Sequence, residues 1–207
     1  MNDLPNSSCL LASTKKVLFE LADTAPFLRD YVLVGGSALA LHLCHRQSED
    51  LDFFTYEDCF DKQEILRYLK RFQQMEVLND NADQLDLLLD GVKVTFFNAN
   101  WKFLRPTNIH PFNLASLPAI AAMKTNTLFL RAKYRDYYDL YYLINHQMSI
   151  QDVFAAAQSV VTGITFKLFS IALVYIDDIE DDNIAHLAPK ESVSKQQIRA
   201  FFEKKLI

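Results

Sequence analysis

The sequence predicts an α+β fold, a mixed β-sheet flanked by helices over the first half of the chain and a helical region over the second. Three observations carry this. The runs with strand character, Tyr31–Val34, Leu51–Thr55, Gln84–Leu89 and Val92–Phe97, all lie before residue 100. Beyond residue 113 the apolar residues recur at helical spacing only. Half of the 207 residues are hydrophobic, with 16 Phe and 9 Tyr but only 4 Gly and 6 Pro. That supplies a substantial core and excludes a loop-rich sandwich or a disordered chain. The expected division is 1–113 for the sheet-bearing core and 114–207 for the helical region.

The elements follow in order. Residues 7–23 carry Leu10, Leu11, Val17, Leu18 and Leu21 on one face, an amphipathic helix with Ser7 or Ser8 as its cap. Ala25-Pro26 ends it, because proline disfavours helical geometry in the residue before it. Strand Tyr31–Val34 leads through Gly35-Gly36 into a helix over 37–45, and a second strand, Leu51–Thr55, follows. Asp58 is the expected cap of a helix over 60–73, with Ile65, Leu66, Leu69 and Phe72 at helical spacing. Residues 75–78 read as a short strand. Asp90-Gly91 between two β-rich runs marks a hairpin. Residues 100–113, with Pro106 and Pro111, read as an irregular connection. Helices are then expected over 116–130, 133–145, 150–160 (capped by Ser149) and 165–175, and from Ser192 or Ser194 onward. The acidic run 177–182 belongs just beyond a helix, since carboxylates are unfavourable at a helix C-terminus.

Composition excludes several classes of function. A net charge of −5 means that the molecule as a whole is no basic nucleic-acid binder, so any RNA contact needs a local basic patch. No apolar run reaches the roughly 20 residues of a membrane span. The first residues lack a basic region ahead of their short apolar patch and do not read as a signal peptide, so a cytoplasmic protein is expected. Cys9, Cys44 and Cys59 form no CxxC pair and are expected as separate thiols. The five histidines show no zinc spacing, and His42 and His45 are expected at the surface or capping a helix. No Walker A, GxSxG or kinase motif is present.

The densest chemistry lies in residues 31–54. Backbone N–H groups at Gly35 and Gly36, leading into a helix, form an anion site, and the Ser37 hydroxyl adds a donor. The same pair of glycines also serves as plain turn geometry. Asp50 and Asp52, at i and i+2 on a strand, point to one side. Such a pair needs a counter-charge, which is either a divalent cation with oxygen ligands or Arg46. Lys124 stands in an apolar helix, where it either snorkels to water or reaches an anion. Arg131, Lys133 and Arg135 put three cations in five residues, suited to phosphate; alternatively Arg135 pairs with Asp139 at i+4. Tyr134, Tyr137, Tyr138, Tyr141 and Tyr142 read as packing residues, one of them a candidate to stack on a base. Asp86 and Asp90 read as edge or turn residues.

The pattern GGSALAL, then HRQSEDLDFF, then AAMK and RAKYRDYYDLY far downstream, resembles the AbiEii/AbiGii toxin family. These are bacterial nucleotidyltransferases with a DNA polymerase β-like fold. The resemblance spans residues 31–142, and ALVYIDDIED is similar to that family's C-terminal helical region. It implies a nucleotidyltransferase core in 1–113 and a region in 114–207 that completes the active-site cleft. It implies Asp50, Asp52, Lys124 and Asp136 as catalytic residues, with Asp50 and Asp52 holding Mg²⁺ or Mn²⁺. Gly36 and Ser37 match the turn that contacts the triphosphate, and Lys124 matches a lysine that contacts nucleotide phosphates. Gly35, Arg46, Ser48, Arg131, Lys133 and Arg135 complete the candidate nucleotide and phosphate contacts. The implied substrate is an NTP, the implied acceptor RNA such as tRNA, and the implied partner a neutralising antitoxin. Many polymerase β-like enzymes carry a third carboxylate on a later strand; Thr95 stands there in this chain. That leaves open one metal or two, and which group serves as general base. A non-catalytic nucleotide- or partner-binding protein on the same scaffold is the rival reading. A metal-dependent nuclease is a third.

Overall fold

The computed structural model describes residues 6–106, 112–181 and 183–207. The chain forms two compact units, one ending at Ser116 and the other beginning at Leu117.

In the first unit, helix α1 (Ala12–Thr24) buries Val17, Leu18 and Leu21. The expected serine cap is not made. Ser7–Cys9 is a separate 3₁₀ turn, and α1 starts after Leu11 without a side-chain cap. The reason is that residues 9–11 pair with Ser48 instead. Leu11 N donates to Ser48 O at 3.0 Å and Ser48 N donates to Cys9 O at 3.0 Å. Backbone groups spent on that strand-like pairing are not available to a helix.

Strand β1 (Tyr31–Val34) is buried throughout. It runs straight into helix α2 (Gly35–Leu43), which therefore begins at the first glycine and ends earlier than expected, at Cys44 in the left-handed region. Strand β2 is Leu51–Thr55. Helix α3 (Lys62–Leu69) is capped by Asp61 rather than Asp58, the Asp61 carboxylate accepting from Glu64 N at 2.9 Å. Strand β3 (Met75–Asp80) is longer than the short run expected. Strands β4 (Gln84–Leu89) and β5 (Val92–Phe97) form the predicted hairpin, with Asp90 (φ 46°) and Gly91 (φ 82°) both left-handed, as a tight primed turn requires. Strand β6 (Asn113–Leu114) lies inside the stretch read as irregular. It adds two parallel rungs to β1, and the buried Asn113 amide donates to Arg29 O and Tyr31 O. Pro111, also part of that stretch, lies outside the described residues.

The sheet order is β3-β4-β5-β2-β1-β6. Alternation divides its residues between two faces. Leu33, Phe53, Phe96, Leu85 and Leu87 share the core face and are fully buried. Phe27, Tyr31, Phe53 and Phe96 form an edge-to-face and stacked cluster there, with ring centroids 5.4–6.1 Å apart. The opposite face carries Asp52, Thr95 and Asp86 in one row across β2, β5 and β4.

The cysteines depart from expectation. Cys9 and Cys44 form a disulfide, with Cα atoms 5.4 Å apart, and Cys59 is free. The pairing of residues 9–11 with Ser48 folds Cys9 back onto the end of α2, a proximity that a separation of 35 residues conceals. His45 is fully buried rather than at the surface, and His42 Nε2 lies 2.8 Å from Ala115 O.

The second unit is helical: α4 (Leu117–Leu130), α5 (Tyr134–His146), α6 (Ile150–Ala157), α7 (Phe166–Val174) and α8 (Lys195–Leu206). Ser149 with Asp152 and Ser194 with Gln197 form capping boxes, and Thr165 caps α7. Asp177 and Asp178 lie in a 3₁₀ turn directly beyond α7. Asp181 caps α5, accepting from Tyr134 N at 3.0 Å. Asp182 lies outside the described residues. The five tyrosines of α5 are buried, as packing residues. Among the described residues no helix is long and apolar enough to cross a membrane.

Candidate active site

The glycine pair is both a turn and a site of close approach. Gly35 has φ +70°, and a Cβ there would lie 2.8 Å from Asp52 Oδ2. A Cβ at Gly36 would lie 2.6 Å from Arg46 Nη2 and 3.2 Å from Ser48 Oγ. Each glycine thus makes room for one charged side chain. The N-cap residue of α2, Val34, has no side chain that can cap it, so the first amide N–H groups take their acceptors from outside the helix.

Ser37 takes a different part from the one expected. Its hydroxyl is buried, donates to the Asp50 carbonyl and lies 3.0 Å from Ser48 Oγ. A hydroxyl has one proton to donate, and here it is committed to the backbone. Ser37 instead pins residues 48–50 against α2. Thr14 Oγ1 holds the same segment from α1, donating to Glu49 O at 2.7 Å. Arg46 is buried, and its Nη1 donates to Gln47 O at 2.9 Å.

Asp50 immediately precedes β2, and Asp52 lies on it in register with Val34 of β1 and Thr95 of β5. Both carboxylates are half-buried. Among the described residues no three His, Cys, Asp or Glu side chains converge as a metal cage. Two carboxylates suit Mg²⁺ or Mn²⁺, which are bound through one or two carboxylates and take their remaining oxygens from phosphate and water. The donor set fits such an ion.

In the second unit, Lys124 of α4 meets two carboxylates of α5. Its Nζ lies 2.9 Å from Asp136 Oδ1 and 2.6 Å from Asp139 Oδ2. Arg131 grips Asp136 from the other side, Nε to Oδ2 at 3.1 Å and Nη2 to Oδ1 at 3.2 Å. Lys124 is 5% exposed and both aspartates 0%. Burial alone would push the Asp136 carboxyl up, but the charges and hydrogen bonds of Lys124 and Arg131 prevail and hold it below the usual range. Asp139 is thus no surface partner of Arg135; it turns inward to Lys124. Lys133 is exposed at the start of α5, and Arg135 is half-buried.

Two residues of interest were read otherwise in the sequence. Asp139 has the i+4 spacing of a surface pair, and only its i+3 relation to Asp136 hinted at a shared inward face. Asp86 passed as an edge residue, although a lone carboxylate among leucines, QLDLLL, was its signal. It is buried.

The fold is similar to that of nucleotidyltransferase structures. One is a crystal structure from H. pylori described as a candidate nucleotidyltransferase: TM-score 0.58, 20% identity, covering 93% of each chain. Another is MenT4, a nucleotidyltransferase toxin from Mycobacterium tuberculosis H37Rv: TM-score 0.53, 17% identity, covering 92% of this chain and 79% of that one. The protein is a nucleotidyltransferase. More narrowly, residues 16–86 and 102–204 match the family described as nucleotidyl transferase AbiEii toxin, type IV TA system, and the chain belongs to that family. An uncharacterised protein of Aquifex aeolicus (strain VF5), aq_aa25, is 29% identical over 182 residues, 86% of each chain.

Proposed function

We propose that this chain is the toxin of a toxin–antitoxin pair and acts in the cytoplasm by transferring a nucleotide from an NTP to an RNA acceptor of the tRNA class. The observation that carries the reading is the paired close approach at the glycine turn. Asp52 lies against Gly35 and Arg46 against Gly36, at the start of helix α2. An oxygen ligand for a cation, a fixed positive charge and backbone N–H donors at a helix start are what a triphosphate requires.

In this reading the amides of Gly35, Gly36 and Ser37 bind phosphate oxygens, with Arg46 beside them. Ser48 acts through its contact with Ser37. Asp50 and Asp52 hold Mg²⁺, which when bound neutralises charge on the transferring phosphoryl group. In the second unit, Lys133 and Arg135 are candidate contacts for the phosphates of the acceptor, while Lys124 is held by Asp136 and Asp139 and Arg131 by Asp136.

The test incubates wild type and Asp52→Ala with each α-labelled NTP, Mg²⁺, and total RNA or total protein. Label enters RNA with wild type and falls about 100-fold or more with the variant, the scale of losing a principal electrostatic group. Label in protein instead moves the acceptor. Equal background in wild type and variant removes the enzymatic reading of this site.

A further inference from the structure

We propose that Asp86, acting through Thr95, takes the place of the absent third carboxylate and receives the proton of the attacking hydroxyl. The inference rests on the nucleotidyl-transfer reading of the Asp52 site. Asp52, Thr95 and Asp86 are register partners on β2, β5 and β4. Their side chains therefore share one face of the sheet, roughly 5 Å from strand to strand. Thr95 stands next to Asp52, and Asp86 one strand beyond.

The hydrogen bonding gives the row a direction. Thr95 Oγ1 donates to Asp86 Oδ1 at 2.7 Å. That spends the only proton of the hydroxyl and leaves its lone pairs as acceptors beside Asp52. Asp86 is held as an acceptor. Gln84 Nε2 donates to Oδ1 at 3.0 Å and Oδ2 at 2.8 Å, and Asn79 Nδ2 donates to Oδ2 at 3.4 Å. Thr95 is 7% and Asp86 8% exposed, so water contributes little to this arrangement. The other charged groups of the strands on this face are Lys93 of β5, Asp52 of β2 with Asp50 just before it, and Glu76 of β3. A carboxylate needed only to pin β3 and β4 has no need of a hydroxyl in the Asp52 row.

The step balances. The O–H bond of the acceptor hydroxyl breaks and its proton goes to Thr95 Oγ1. The Thr95 proton moves to Asp86 Oδ1. The electron pair left on the acceptor oxygen forms the new bond to the α-phosphorus, and pyrophosphate departs with the electrons of the broken P–O bond. Once the product has left, the proton returns from Asp86 through Thr95 to the Asp52 side of the row and leaves from there. Thr95 is the group in contact with the reacting hydroxyl, and Asp86 is a positioning residue and proton sink behind it.

The experiment measures NTP transfer and fluorescent-nucleotide binding for wild type, Asp86→Asn, Thr95→Val and Thr95→Ser, with thermal melting to check folding. Asp86→Asn and Thr95→Val are expected to lower kcat about 100-fold, the scale of general base catalysis. KM and nucleotide affinity stay within about threefold, because proton removal matters in the transition state alone. Thr95→Ser keeps the hydroxyl and recovers most of the rate that Thr95→Val loses. If Asp86→Asn fails to fold, the comparison of Thr95→Val with Thr95→Ser decides. Wild-type kcat in Asp86→Asn and Thr95→Val, a change in KM alone, or Thr95→Ser as slow as Thr95→Val overturns the relay while transfer itself stands. Wild type no more active than Asp52→Ala overturns the transfer reading and the relay with it.

Discussion

The chain holds two concentrations of charge, and they are built on opposite plans. In the first unit, Asp52 and Arg46 occupy the space that two glycines leave open, and the Asp50–Asp52 carboxylates are half-buried. In the second, two cations close on two fully buried carboxylates, with Nζ–O distances of 2.6 and 2.9 Å. The first arrangement depends on the absence of side chains at Gly35 and Gly36. The second depends on the presence of every partner and is already neutralised. Substitution therefore threatens ligand binding in the first and folding in the second.

The largest expected effect breaks the second centre. Lys124→Met takes the ammonium from both buried aspartates, Asp136 and Asp139, and leaves Asp136 with Arg131, whose side chain is 44% exposed. Removing one partner from a buried ion network costs about 3–5 kcal/mol, read as a shift of the urea midpoint. The matching change in the first centre, Asp52→Asn, is expected to cost about 1 kcal/mol or less while abolishing transfer. Equal stability losses in the two variants would remove the distinction.

The glycines sharpen it at an intermediate scale. Gly35→Ala forces a side chain into the left-handed region, about 1–2 kcal/mol, and drives its Cβ against Asp52. Gly36→Ala meets no backbone penalty from φ and displaces the tip of Arg46. Melting with and without NTP and Mg²⁺ separates the two. Gly35→Ala lowers Tm in both conditions, whereas Gly36→Ala chiefly loses the nucleotide-dependent rise.

The smallest effect is a pH dependence. The Asp136 carboxyl is held below its ordinary value in the folded chain, so its contribution is fully present above the unfolded pKa of about 3.9. It is lost as pH falls from there through the lower folded value. Wild-type Tm then drops through this acid window more steeply than that of Asp136→Asn, which has no such group to protonate. Parallel curves would mean that the carboxylate carries no linked stability.

Much of this was readable in the chain before any coordinate. Asp90-Gly91 specifies a left-handed pair whatever surrounds it, and the hairpin stands where that turn put it. Ser149 and Ser194 cap helices because their partners lie three residues away. Gly35-Gly36 and the Asp-x-Asp strand were visible for the same local reason. What was misread depended on distant partners. Ser7 and Ser8 lost the cap of α1 because residues 9–11 pair with Ser48, and Cys9 meets Cys44 by the same route.

Amino-acid sequence by itself thus determined which elements form and which residue types could meet a phosphate or a cation, since caps, turns and alternation act within a few residues. Tertiary structure alone decided what each charged group faces. It turned Asp139 inward to Lys124, spent the Ser37 hydroxyl on the Asp50 carbonyl, and set Asp86 behind Thr95 in the row of Asp52. The physical reason is that a hydrogen bond or ion pair is fixed within ångströms, and strand register and helix packing, which bring such partners together, are settled by burial across the whole core rather than by neighbours in the chain.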